Sequence, residues 1–270
     1  MNNFTKRLLS GIVFIGVLIF SILFSKISFL TLFFIIMMFC LYEFCKMIKL
    51  NSIYPFIFAP LAYVFGNILN VEDVPSKVIF EYVGIGLFLS VFSSFAGILF
   101  AKKDEIIPHL GKIFLSLIYI IVPFVLMTQI PFMNSDFKYA STSILGVFLL
   151  IWTNDTFAYL TGRTFGKTKL LKRISPNKTV EGFAGGTLFC FGASVLIAQY
   201  FTSLTLTQWI FIAGLVSIFG VLGDLIESMF KRQAGVKDSS DLIPGHGGFL
   251  DRFDSVIFAA PFIFIYLQIF

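Results

Sequence analysis

Apolar runs long enough to cross a bilayer, about 17–25 residues each, recur near 8–25, 27–45, 53–69, 78–100, 110–130, 140–162, 181–201, 207–230 and 253–270. The third is short and carries Pro55 and Pro60, and the ninth runs to the C-terminal residue. Polar positions are concentrated in two long intervals, 163–180 and 231–252. This pattern predicts an all-α integral membrane protein of about nine transmembrane helices, in which polar loops form the active site. The chain divides at about residue 135: 1–135 holds five N-terminal spans, and 136–270 holds the remaining spans with both polar loops. The first run follows Lys6 and Arg7, is longer than a signal-peptide core and lacks an Ala-x-Ala cleavage site, so it is expected to be retained. No soluble domain is expected before or after the membrane part.

Composition agrees with this reading. Of the 270 residues 57% are hydrophobic and 13% charged, with a mean hydropathy of +0.92, against about 25% charged in an ordinary soluble domain. The placement of charge says more than its sum of +5. With the N-terminus in the cytoplasm, Lys26, Lys77 and Lys138 fall on the far side, and the other seventeen of the 20 cationic residues fall on the cytoplasmic side. Such a bias orients both polar loops toward the cytoplasm. Cys40, Cys45 and Cys190 all lie in apolar runs and read as core residues, without a disulfide framework or zinc spacing. No internal repeat is visible, which weighs against transporter folds built from duplicated halves.

Acids within or at the ends of spans are costly and point to function. They are Glu43, Glu81, Asp155, Glu181, Asp224, Glu227, Asp251 and Asp254. Glu43 and Glu81 lie near span ends and are expected at exposed interfacial positions. Asp155 sits more than a turn inside the sixth span and must face protein, water or a cation. Asp224 and Glu227 are three apart, as are Asp251 and Asp254, so each pair is expected to share a helix face. Oxygen ligands so arranged suit a hard divalent cation such as Mg²⁺; the alternative is an ion network in which Lys231, Arg232 and Arg252 neutralise the acids.

The segment Ile243–Gly248, reading IPGHGG, predicts a tight turn into the last span. Its glycines permit close backbone approach, successive N–H groups form anion-binding nests, and His246 adds a donor. The segment SPNKTVEG at 175–182 brings Ser175, Lys178 and Thr179 to a helix N-terminus, a setting suited to phosphate but equally to a plain turn and helix start. Gly182 and Gly186 read as a helix-packing GxxxG. GRTFGKT at 162–168 is not a P-loop, because three residues rather than four separate its glycines and a span precedes it.

The run from Ser228 to Asp254 resembles the signature of the phosphatidate cytidylyltransferase (CDP-diacylglycerol synthase) family. Ser228, Lys231, Arg232, Lys237, Asp238, His246, Gly247, Gly248, Asp251, Arg252 and Asp254 stand at matching spacings, with no departure. WTNDTFAYLTGRTFGK at 152–167 and SPNKTVEGFAGG at 175–186 are also similar to family patterns, so the likeness covers about residues 150–256.

The resemblance implies a multi-span nucleotidyltransferase that joins CTP to phosphatidic acid, releasing pyrophosphate and forming CDP-diacylglycerol for phospholipid biosynthesis. It further implies a Mg²⁺ requirement with one or two ions, a homodimer, no nucleic-acid partner, and a bacterial inner-membrane location with the site facing the cytoplasm. The residues expected to carry catalysis are Asp224, Asp251, Asp254, Lys231, Arg232 and His246. Asp224, Asp251 and Asp254 are expected to hold metal. Ser175, Lys178, Thr179, Lys237, Gly247, Gly248 and Arg252 are expected to bind substrate, and Asp155 is a further candidate for metal or cavity structure. Two other classes use similar parts: a CTP-dependent polyprenol or dolichol kinase, and an ion transporter.

Overall fold

The computed structural model describes residues 3–67, 106–133 and 138–270. Among these, helices α1 (Asn3–Phe24), α2 (Lys26–Met47), α3 (Tyr54–Asn67), α4 (Ile106–Phe132) and α5 (Ser141–Phe165) come first. A two-stranded hairpin follows, β1 (Lys169–Leu171) and β2 (Ser175–Thr179), then α6 (Val180–Tyr200), α7 (Leu206–Ala234) and α8 (Leu250–Ile269). Six of these helices, α2 and α4 to α8, are long and apolar enough to cross a membrane. The expected span at 78–100, and Glu81 with it, lies outside the described residues.

The helix boundaries follow from caps. Ser25 separates α1 from α2 alone: its hydroxyl accepts from Ser28 N at 3.1 Å while Ser28 Oγ accepts from Ser25 N at 3.0 Å, a reciprocal capping box. Thr205 and Gln208 repeat the device at the start of α7. Thr179 caps α6 through Gly182 N at 3.1 Å. α7 ends at Gly235, whose φ of 74° is the left-handed closing conformation that glycine adopts without strain.

Two helices widen to π turns. In α4 the turn at Leu117–Ile121 precedes Pro123, which has no N–H to continue an α ladder. In α7 the turn at Val216–Gly220 begins where Ser217 Oγ bonds the Ala213 carbonyl at 2.8 Å, back-bonding of the kind that bends helices.

The interval 163–180, expected as a polar loop, is only partly one. α5 continues to Phe165, and β1 and β2 then pair antiparallel with Lys169 opposite Thr179. Glu181 ties this hairpin down, accepting from Lys167 N and Thr168 N at 3.0 Å each.

The core is aromatic. Phe253 of α8 is buried among Phe14, Phe33, Phe124 and Phe148, with ring centroids 5.7 to 6.2 Å away. These rings come from α1, α2, α4 and α5, so α8 is the post around which helices from both halves of the chain pack. The three cysteines are buried and unpaired, as their apolar settings suggested. Rows of exposed apolar side chains, such as Ile12 and Phe20 on α1 and Leu188 and Leu196 on α6, suit hydrocarbon as solvent.

Close helix approach occurs where glycine removes the side chain. A Cβ at Gly182 would stand 2.7 Å from the Ala158 carbonyl, and one at Gly186 2.8 Å from that of Asn154, so this pair seats α6 on α5. Gly223 does the same for α7 on α8, where a Cβ would meet the Asp254 backbone and Phe258.

Candidate active site

Those contacts bring the ends of α5, α6, α7 and α8 around one cavity of about 670 Å³, roofed by β2. Asp155, Tyr159 and Arg163 enter it from α5, each about a turn apart. Asn177, Lys178 and Thr179 come from β2, Asp224 from α7, and Asp251, Arg252 and Asp254 from α8. Four carboxylates thus face three cations across one chamber.

Several contacts already balance these charges. Lys178 Nζ lies 2.7 Å from Asp224 Oδ2, and Ser228 Oγ donates to Asp224 Oδ1 at 3.2 Å. Lys231 Nζ bridges α7 and α8, 2.5 Å from Glu227 Oε2 and 2.8 Å from Asp251 Oδ1. The other Asp251 oxygen, Oδ2, accepts from Ser239 N at 3.0 Å, Ser239 Oγ at 2.9 Å and Gly248 N at 2.7 Å. Asp251 therefore folds the 235–249 loop as well as facing the cavity.

The expected site residues divide accordingly. Asp155, Lys178, Thr179, Asp224, Asp251, Arg252 and Asp254 line the cavity. Ser175, Lys231, Arg232, Lys237, His246, Gly247 and Gly248 do not. Arg232 and Lys237 are exposed, and His246 turns toward α1, its Nδ1 2.9 Å from Ser10 Oγ. The IPGHGG turn is tight as expected, with Ile243 N donating to Gly247 O at 2.9 Å and φ of 80° at Gly247. Its anion is the chain's own carboxylate: Gly248 N serves Asp251, while Phe249 N and Leu250 N serve Glu43.

Two sequence expectations are corrected. Glu43 is not interfacial; it is fully buried, 0% exposed, beneath that turn. A position one turn from the end of a helix does not reveal that a loop some 200 residues away closes over it. Asp224 and Glu227 do not act on one face: Asp224 opens onto the cavity, whereas Glu227 is 0% exposed and pairs inward with Lys231. Three spacings along a helix leave an angle of about 60°, enough to put one acid in the chamber and the other in the core. Tyr159, Arg163 and Asn177 were not anticipated, although Arg163 lies eight residues, just over two turns, after Asp155.

The donor set is all oxygen, which fits a hard divalent cation. Among the described residues no three His, Cys, Asp or Glu side chains already converge as a ready-made ligand group. Lys178 and Lys231 hold the positive charge beside Asp224 and Asp251 instead.

Comparison with known proteins agrees with the motif. A match to the cytidylyltransferase family spans residues 5–270. A protein of Staphylococcus aureus (strain COL) named phosphatidate cytidylyltransferase is 52% identical over 126 residues, 46% of this chain and 48% of that one. Its namesake in Staphylococcus haemolyticus is 51% identical over the same length and shares. The aligned stretch spans about half the length of the curated relatives it matches. With the family match extending over nearly every residue, the chain belongs to the cytidylyltransferase family.

Proposed function

We propose that this chain is a phosphatidate cytidylyltransferase, converting CTP and phosphatidic acid to CDP-diacylglycerol and pyrophosphate. The observation that carries the reading is the chamber in which Asp155, Asp224, Asp251 and Asp254 face Lys178, Arg163 and Arg252. The relatives named for this activity support the choice of substrates.

Phosphoryl and nucleotidyl transfer ask mainly for positioning and charge neutralisation. Lys178, Arg163 and Arg252 would bind the triphosphate and the lipid phosphate, placing a phosphate oxygen of phosphatidic acid in line with the α-phosphorus of CTP. That oxygen attacks, the bond from the α-phosphorus to the bridging oxygen breaks, and pyrophosphate leaves. The nucleophile is already an anion, so no general base is required. Asp224, Asp251 and Asp254 would hold Mg²⁺, which supplies charge neutralisation on the attacking and leaving oxygens when bound. Lys178, paired with Asp224 at 2.7 Å, would exchange that contact for phosphate.

The same reading places nine spans in a bacterial inner membrane as a homodimer, with the chamber open to cytoplasmic CTP. The test is transfer of α-phosphate label from CTP to phosphatidic acid by purified, detergent-solubilised protein, with and without Mg²⁺. Label in lipid only with the metal supports the reading. Label transferred only from the γ-phosphate makes the protein a lipid kinase, and no transfer by folded protein rejects both.

A further inference from the structure

Glu43 is a carboxylate one turn before the end of the apolar helix α2, fully buried, with no ion pair to Lys or Arg among the described residues. Burying an acid inside protein is costly and calls for compensating donors. Four are present. Oε1 accepts from Ser240 Oγ at 2.5 Å and Phe249 N at 3.0 Å; Oε2 accepts from Leu250 N at 2.8 Å and lies 3.0 Å from Ser239 Oγ. Two of these donors are otherwise orphaned amides where α8 starts, and two are hydroxyls of the loop that precedes it.

The arrangement links Glu43 to the chamber without touching it. Ser239 Oγ stands between Glu43 Oε2 and Asp251 Oδ2, at 3.0 and 2.9 Å, and Ser239 N donates to Asp251. The hydroxyl has one proton and so serves one carboxylate at a time, coupling the two acids through one atom. Gly248 lies directly over this junction; a Cβ there would meet Ser239 Oγ and the Glu43 carboxylate. The loop is thus clamped between a carboxylate below, from α2, and a carboxylate above, from α8.

We propose that Glu43 is a positioning residue for the transfer reaction, holding the 239–250 segment so that Asp251 keeps its place in the chamber wall. The inference rests on the cytidylyltransferase reading for its kinetic half. Glu43 is absent from the cavity wall, so its loss alters the geometry of Asp251 without removing a substrate contact.

The experiment compares Glu43→Gln and Glu43→Asp with the parent protein, in detergent, by three readouts. These are the thermal melt, the kcat and KM for CTP per folded molecule, and the rate of tryptic cleavage after the exposed Lys237. Gln keeps the shape but turns an amide N–H₂ toward two of the four donors. The expected result is faster cleavage at Lys237 and a kcat lowered about 10–100-fold, as for other outer-shell partners, with KM for CTP within about threefold. Glu43→Asp, which keeps the charge on a shorter arm, recovers part of the kcat. Unchanged cleavage overturns the clamp whatever the activity. Faster cleavage with unchanged kcat per folded molecule leaves only a structural role and overturns positioning. If the parent protein itself labels no lipid from CTP, the proposed activity fails, and the clamp is still decided by the proteolysis.

Discussion

Replacing Lys231 by Met tests whether its ammonium holds α7 and α8 together. The substitution keeps the length and apolar stem of the side chain and removes only the charge. Lys231 bridges Glu227 and Asp251, whose side chains are 0% and 5% exposed, and is itself 14% exposed. The two acids respond differently. Asp251 retains two backbone donors, Ser239 N and Gly248 N, and shares the Ser239 hydroxyl with Glu43. Glu227 keeps no other ion pair among the described residues, and its carboxylate lies wholly inside the protein. Breaking a buried pair by deleting one partner costs about 3–5 kcal/mol, and nearly all of it falls at Glu227.

At roughly 2–4 °C per kcal/mol for a chain of this size class, the melt in detergent should fall by about 6–20 °C. The double variant Lys231→Met with Glu227→Gln removes the stranded charge and should recover more than half of that drop. A single variant melting within about 2 °C of the parent, or a double variant no more stable than the single, refutes the assignment of Lys231 as the clamp between the helices.

Gly248→Ala should lower the melt by an amount corresponding to about 1–3 kcal/mol of overpacking, because its Cβ would press on Glu43 and Ser239; a parental melt counts against the clamp. Gly182→Val should part α5 from α6 and likewise lower the melt, while Gly192→Ala, where a Cβ meets nothing within 4 Å, should not. Asp224→Asn should leave the melt near the parent, since its partly exposed pair with Lys178 contributes little, yet reduce turnover by about 100-fold, or ~2.7 kcal/mol of lost neutralisation. Turnover within about threefold of the parent removes Asp224 from the site.

The length of the apolar runs made the described helices legible, and the small residues made their closest contacts legible: Gly182 and Gly186 do pack α6 on α5. The signature delivered Asp251, Asp254 and Arg252, while the acids placed within spans and the SPNKTVEG segment added Asp155, Asp224 and Lys178. What it could not deliver was direction. In a span surrounded by lipid, apolar residues cover every face, so the pattern that reveals the buried side of a soluble helix is absent. Glu227 and Asp224 look equivalent on paper, and the angle of the α7–α8 contact at Gly223 decides which enters the core. The hairpin was hidden for another reason: KLL and SPNKT carry no alternation of apolar and polar residues, and the strands are held by Glu181 rather than by burial.

Orientation is set instead by the residues between the charged ones. Leu250, Phe253 and Ile257 recur at three and four positions, forming the inward stripe of α8, and all are nearly inaccessible. Anchoring that stripe in rings from four other helices turns Asp251 and Asp254, each one position further on and so rotated by about 100°, toward the chamber. The aromatic core and the acid cluster are therefore one construction. Phe253, which has no chemistry of its own, fixes the angle at which its two acidic neighbours meet Asp224, and a motif described by its polar letters alone omits the residue that aims them.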